Sequence, residues 1–224
     1  MKSGKRVVLE EGEALWIAEQ AKLPVPHLYG AEKTLDGKTQ IRMGYVEGQT
    51  LKKLWPDMST DQKRDIAQQL RGILNTMRSI PPPPGLVGAC GGGEIRDTRV
   101  YHTHRSPAPR DESGFNTYLL SALFKGTPPG IRNAFMKSLR TNHRIVLTHC
   151  DISPRNIIVR YGKIKGLIDW EDAGWYPEYW EYVKFFQRSG LDDGNWWCYA
   201  DDIFPQLYPE ELVTFIAMSK WQSP

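Results

Sequence analysis

His149, Asp151, Asn156 and Asp169 stand close together in the chain, on two short polar stretches that each adjoin an apolar run. A carboxylate such as Asp151 can take the proton of an attacking hydroxyl. An amide oxygen and a second carboxylate, here Asn156 and Asp169, can hold Mg²⁺ against phosphate oxygens. Together these residue types suit transfer of a phosphoryl group to a hydroxyl. The simpler alternative is a polar turn, in which Asp151 and Asn156 only bond nearby backbone groups.

For the first reading to hold, strands must place these side chains. Arg144-Ile145-Val146-Leu147-Thr148 reads as a buried strand entering the first stretch, and Ile157-Ile158-Val159 as a strand leaving it. A turn at Tyr161-Gly162-Lys163 then leads to a third strand, Ile164-Lys165-Gly166-Leu167-Ile168, which delivers Asp169. A hairpin of this kind would bring Asn156 and Asp169 to one metal ion.

The pattern H-x-D-x-x-x-x-N matches the kinase catalytic loop. Thr148 to Val159, with Gly166-Leu167-Ile168-Asp169-Trp170-Glu171 and Gly174-Trp175-Tyr176-Pro177-Glu178-Tyr179-Trp180-Glu181, resembles the aminoglycoside phosphotransferase and choline kinase family, in particular fungal-type members with such a Trp- and Tyr-rich tail. The resemblance runs from about Lys2 to Leu212. It implies an α+β, protein-kinase-like two-lobed fold, with a small N-terminal lobe and hinge over 1–48 and a mainly helical catalytic lobe over 49–224. It also implies an ATP- and Mg²⁺-dependent phosphotransferase acting on a hydroxyl of a small molecule.

By the same resemblance Asp151 is the catalytic base, and Asn156 and Asp169 are the Mg²⁺ ligands. His149 braces the loop, with a general-base role as the lesser alternative. Glu11 fits the helix glutamate that pairs with a phosphate-binding lysine, and Lys2 is the best placed lysine. Met43, Tyr45 and Val46 belong to the connector whose backbone would hold adenine. Cys150 departs from the family, which usually has Gly between the His and the Asp, and a tight backbone angle there would suffer. Trp170-Glu171 replaces the Phe-Gly of protein kinases, which argues for the small-molecule branch. Only Met1 precedes Lys2, so the expectation is a truncated small lobe, lacking two strands and the loop that covers the phosphates. A non-catalytic relative that binds a ligand or partner is therefore the second reading. Metal-dependent hydrolysis is weaker, since no further His or carboxylate lies at ligand spacing.

Composition sets wider bounds. A chain of 224 residues can bury a substantial core. No apolar run is long enough to span a bilayer, and the start lacks the apolar stretch of a signal peptide. Cys90, Cys150 and Cys198 are scattered and odd in number, so no disulfide framework or zinc site is indicated and a cytoplasmic setting is the default. Basic residues are spread rather than clustered, which gives no sign of nucleic-acid binding. Nothing in the sequence assigns an oligomeric state.

Charge is uneven: residues 1–168 carry 26 Lys+Arg against 15 Asp+Glu, whereas 169–202 carry 2 against 9. That acidic run, including Asp192-Asp193, would attract a cationic substrate or else form solvated loops. Trp175 and Glu171 are candidate cleft residues, while Tyr179, Trp180 and Tyr182 read as core.

Elsewhere, helical patterns cover Glu10 to about Ala21 and Ser59 to about Ser79, the latter opened by a Ser59/Gln62 capping box. Further helices are expected around Phe115–Leu123 and Ile131–Leu139, from Pro177 to about Arg188, and from Glu210 to about Met218. From Pro81 to Glu112 the Gly, Pro, Arg and His content predicts a long irregular loop, with Cys90-Gly91-Gly92-Gly93 as flexible surface.

Overall fold

The computed structural model describes residues 1–4, 7–99, 102–188 and 194–222; Asp192-Asp193 of the acidic run lie outside the described residues. Strand β1 (Lys2–Gly4), helix α1 (Leu9–Gln20) and strands β2 (Leu28–Lys33) and β3 (Thr39–Met43) open the chain. The three strands form an antiparallel sheet in the order β1-β3-β2, with Ile41 opposite both Lys2 and Ala31. Helix α1 lies on this sheet through Ala14, Leu15 and Ala18. Gly12 permits the close approach, because a Cβ there would sit 2.6 Å from the Cβ of Ala31.

Past the connector come β4 (Gln49–Thr50), the single turn α2 (Leu51–Leu54) and α3 (Thr60–Ser79). Gly48, at φ +148°, brings the chain against β9 (Ile157–Arg160), where a Cβ would meet the Val159 carbonyl oxygen at 2.6 Å. The capping box forms as the sequence indicates: Ser59 Oγ accepts from Gln62 N at 3.2 Å, and Gln62 Oε1 accepts from Ser59 N at 2.8 Å. Ile66, Ala67, Leu70, Leu74 and Met77 then bury one face of α3, the larger side chains contributing about 1.5–3 kcal/mol each.

The stretch after α3 differs from the expected irregular loop. It holds β5 (Gly88–Ala89), β6 (Glu94–Thr98) and β7 (Thr103–Pro107), with β6 and β7 paired as a hairpin. Cys90 is buried rather than on a flexible surface. Composition misled here because the middle of β6, Ile95-Arg96-Asp97, is buried, and its charges are neutralised by partners distant in sequence. Helices α4 (Glu112–Ser121) and α5 (Pro129–Ser138) follow.

Then come β8 (Ile145–Thr148), the already placed β9, β10 (Lys163–Leu167), β11 (Gly174–Pro177), α6 (Trp180–Arg188), α7 (Ala200–Ile203) and α8 (Pro209–Ser219). One sheet has the order β10-β9-β4 and another β5-β11-β8. A second correction concerns Pro177, which ends strand β11 opposite Ile145 instead of opening a helix; α6 starts at Trp180. Trp175, in the same strand, is 2% exposed and so is core, not cleft. Trp170, Tyr176, Trp180, Phe185, Trp196 and Phe204 join it, and edge-to-face ring pairs such as Trp180 with Phe115 and Phe215 bind α6 to α4 and α8. Among the described residues no helix is long and apolar enough to cross a membrane.

Candidate functional site

The bend between β8 and β9 carries His149, Asp151 and Asn156. Its last turn is a short 3-10 helix, Pro154–Asn156, closed by Asn156 N donating to Ser153 O at 2.9 Å. Asn156 Nδ2 donates to the Asp151 carbonyl at 3.1 Å, which leaves its amide oxygen as the atom available to a cation. His149 is fully buried. Its Nδ1 accepts from Asp151 N at 3.2 Å, and its Nε2 lies 3.1 Å from Ile168 O. Burial lowers the His149 pKa, so the ring is neutral and Nε2–H donates to Ile168, with Trp170 edge-on at 4.7 Å between centroids. Both ring nitrogens are engaged within the protein. These two contacts tie the bend to the end of β10.

Cys150 adopts φ +67°, the left-handed conformation that costs a side-chain-bearing residue about 1–2 kcal/mol. The angle that a glycine would adopt freely is thus imposed on a cysteine. Glu181, at the start of α6, holds it: its carboxylate accepts His149 N at 2.5 Å and Cys150 N at 2.9 Å. Burial pushes the Glu181 pKa up to about 7 in spite of those two donors.

Asp169 leaves β10 with φ +64°. Lys2 Nζ lies 2.8 Å from Asp169 Oδ1, 2.8 Å from Glu11 Oε2 and 3.5 Å from Glu171 Oε2. Burial alone would depress the Lys2 pKa, but its bonds to Asp169 and Glu11 outweigh that and raise it. Burial raises the Glu11 pKa, with Lys2 opposing. Oxygen atoms of Glu11, Asp169 and Glu171 lie within 4.8 Å of one another. Such a set of hard oxygen donors, with Asn156 lining the same cavity as Glu11 and Asp169, fits a Mg²⁺ ion.

That cavity, of about 400 Å³, is lined by Lys2, Glu11, Asn156 and Asp169, by Met43, Gly44, Tyr45 and Val46 of the connector, and by the apolar Ile158 and Ile168. Every residue expected to touch nucleotide or metal therefore faces one space. Gly44 N is used by His27 O at 2.7 Å, whereas the main-chain groups of Tyr45 and Val46 make no hydrogen bond among the described residues.

Asp151 is 3% exposed, and both its carboxylate oxygens are occupied. Arg155 Nη2 donates to Oδ1 at 2.7 Å and to Oδ2 at 2.8 Å, and Arg188 Nη2 donates to Oδ2 at 2.7 Å. Burial would raise the Asp151 pKa, but the two guanidinium groups overcome it and hold the carboxyl ionised below its usual range. Arg155, Arg188 and Glu181 were not singled out from sequence. One signal was available for Glu181: it and Lys184 are the two charges inside the otherwise apolar run Tyr179-Trp180-Glu181-Tyr182-Val183-Lys184-Phe185-Phe186. Charges set in such a run are buried and paired, or they break the helix.

Residues 5–209 match the family model described as "Phosphotransferase enzyme family". No curated protein matches the chain. Solved structures resemble it at low identity. Aminoglycoside-3'-phosphotransferase of type VIII is 13% identical with a TM-score of 0.56, over 95% of this chain and 79% of that one. A thermostable mutant of aminoglycoside phosphotransferase APH(4)-Ia, in ternary complex with AMP-PNP and hygromycin B, is 14% identical with a TM-score of 0.62, over 93% and 72%. The GDP and kanamycin complex of APH(2")-IIia is 16% identical with a TM-score of 0.56, over 96% and 73%. These likenesses show the fold, an α+β kinase-like architecture.

Proposed function

Because this chain belongs to the phosphotransferase enzyme family, we propose that it transfers the γ-phosphoryl group of ATP, with Mg²⁺, to a hydroxyl of a small molecule. One observation carries the reading: Lys2, Glu11, Asn156 and Asp169 share a cavity with the connector Met43–Val46, while Asp151 stands on the adjoining bend. In this assignment residues 1–48 form the small lobe and connector, and 49–224 the catalytic lobe. Nucleotides in the related structures (AMP-PNP in one, GDP in another) support the cofactor.

Lys2 would hold phosphate oxygens and Glu11 would orient Lys2. The backbone of Tyr45 and Val46 would take the edge of the base, with Ile158 and Ile168 against its faces. Asn156 and Asp169 would hold the cation, which when bound neutralises phosphate charge. Asp151 orients the acceptor hydroxyl and receives its proton. His149 and Glu181 keep Asp151 in place by fixing the backbone on either side of Cys150.

A second reading, ligand binding without transfer, is favoured by the occupied state of both Asp151 oxygens. Two substitutions separate the roles. Asp169→Ala is expected to abolish Mg²⁺-dependent ATP binding in calorimetric titration. Asp151→Ala should bind ATP nearly as before while phosphoryl transfer falls about 10²–10⁴-fold. Equal loss of ATP affinity in both variants contradicts the assignment. Absence of ATP binding by the unmodified chain leaves the second reading standing.

A further inference from the structure

The arginines on Asp151 belong to a larger charged cluster. Arg188 Nη1 also lies 3.5 Å from Asp172 Oδ2, and Arg96 Nε lies 3.3 Å from Asp172 Oδ1. Lys184 Nζ donates to Asp97 at 2.9 Å, and Arg99 Nε to the other oxygen of Asp97 at 3.0 Å. Lys184 and Arg188 both donate to Thr98 O, at 2.7 and 3.3 Å, which joins the two halves. Arg96, Arg99, Arg155, Lys184 and Arg188 thus surround three carboxylates, Asp97, Asp151 and Asp172. Even with Glu181 ionised nearby, cations remain in excess.

Among the described residues, some donors of this cluster have no acceptor. Nη1 of Arg96 and both Nη atoms of Arg99 are buried without a hydrogen-bond acceptor, in side chains only 5% exposed. Each of these guanidinium groups is paired with a carboxylate through its Nε, yet a buried donor left without an acceptor is costly, and an oxyanion supplies one. Of the acidic run seen in the sequence, Asp172 and Glu181 are already counted here, and other described members are paired elsewhere. Asp169 and Glu171 are taken by Lys2, and Glu178 by Arg144. Among the described residues, an ammonium-bearing acceptor would therefore approach Asp151 against a surplus of cations.

Geometry adds a second constraint. With one guanidinium donor on Oδ1 and two on Oδ2, an acceptor hydroxyl at an Asp151 oxygen competes with a guanidinium for the carboxylate. A neutral or cationic alcohol offers the displaced arginine only an uncharged, single acceptor atom. A carboxylate or phosphate offers a bidentate, charge-assisted replacement. Arg155 is suited to the exchange, being 41% exposed while the carboxylate it holds is 4% exposed.

Building on the phosphotransferase reading, we infer that the acceptor is a hydroxy compound that also carries an acidic oxyanion group. That group takes over Arg155, with Arg188 behind it, and the exchange frees Asp151 for the hydroxyl. The two arginines act as the specificity element of the acceptor site, and the resting contact with Asp151 keeps the carboxylate engaged until an acid arrives.

The test is calorimetric titration of matched probes into the full chain: glycerate and glycerol 3-phosphate as the acids, glycerol as the neutral alcohol, choline as the cation. ADP with Mg²⁺ is added to fill the nucleotide side. One or both acids are expected to bind roughly ten- to a hundredfold more tightly than glycerol or choline, the worth of a charged hydrogen bond. Arg155→Gln and Arg188→Gln, each checked for folding by circular dichroism, should erase that margin. Preference between the two acids tells carboxylate from phosphate. Equal or better binding of glycerol or choline, no acid binding, or an unchanged margin in both folded variants overturns the proposal. A separate ADP titration isolates the phosphotransferase reading, since acid preference without nucleotide binding strikes that reading alone.

Discussion

Two charged regions flank the bend that bears Asp151, and they are built with opposite surpluses. Around Lys2, three carboxylates (Glu11, Asp169 and Glu171) share one ammonium, and the lysine and both aspartate and Glu171 side chains are about a third exposed. Around Asp151 and Asp172, cations outnumber carboxylates, and most of the groups are buried. The first arrangement suits a divalent cation arriving with phosphate; the second suits an anion. Their separation teaches that net charge of a segment is a poor guide to what it binds. The acidic stretch 169–202 contributes carboxylates to both regions, and only the arrangement of partners decides the local sign.

The strongest challenge to this contrast is made on the buried, cationic side. Lys184→Met leaves Asp97 with one cation fewer in a site without solvent, and about 3–5 kcal/mol of stability should be lost in urea unfolding. A loss below about 1 kcal/mol would mean that Arg99 and Tyr118 suffice for Asp97 and that the lysine is surplus.

Glu181 provides a pH-dependent measure of the same bend. Its folded pKa, raised to about 7, stands above its ordinary value of 4.5. The folded state therefore holds this proton more tightly than the unfolded chain. The resulting stabilisation is complete below about pH 4.5 and disappears as pH rises through about 7, a change of up to roughly 3 kcal/mol. Glu181→Gln should lack this component. The stability difference between the two proteins, measured across that range, is expected to move steadily in favour of Glu181→Gln as pH rises. A flat difference would show that the carboxyl titrates normally.

A smaller effect sharpens the anionic side. Lys2→Met leaves Glu11, Asp169 and Glu171 facing one another, which should lower the melting temperature by the equivalent of about 1 kcal/mol, discounted for exposure. Millimolar Mg²⁺ should restore more stability to this variant than to the unmodified protein. If Mg²⁺ affects both equally, the carboxylates do not act as a cation site.

Local signals carried much of the architecture. The Ser59/Gln62 box and the periodic apolar residues after it locate α3, because capping and amphipathic burial depend on neighbours within a few positions. Strands β8, β9 and β10 were legible because apolar runs bounded by turn residues have few alternatives. The hairpin of β6 and β7 was not legible, since Arg96 and Asp97 look like loop residues until Asp172 and Lys184 are brought to them. Trp175 and Pro177 misled for a related reason: β11 pairs with a strand about thirty residues earlier, and no local pattern announces that pairing. Within the candidate site, Asp151, Asn156 and Asp169 were marked by residue type and spacing. Arg155 lay between them, but its contact with Asp151 was not evident.

By itself the sequence marked the candidate site residues by type and spacing and determined the short elements that carry them, because both depend on covalent spacing and local hydrogen bonding. Tertiary structure alone decided the charge around each carboxylate, the left-handed turn at Cys150 that Glu181 sustains, and the meeting of Lys2 with Asp169. Those outcomes depend on burial and on Coulomb interactions between residues remote in sequence, which acquire their strength only when folding excludes water.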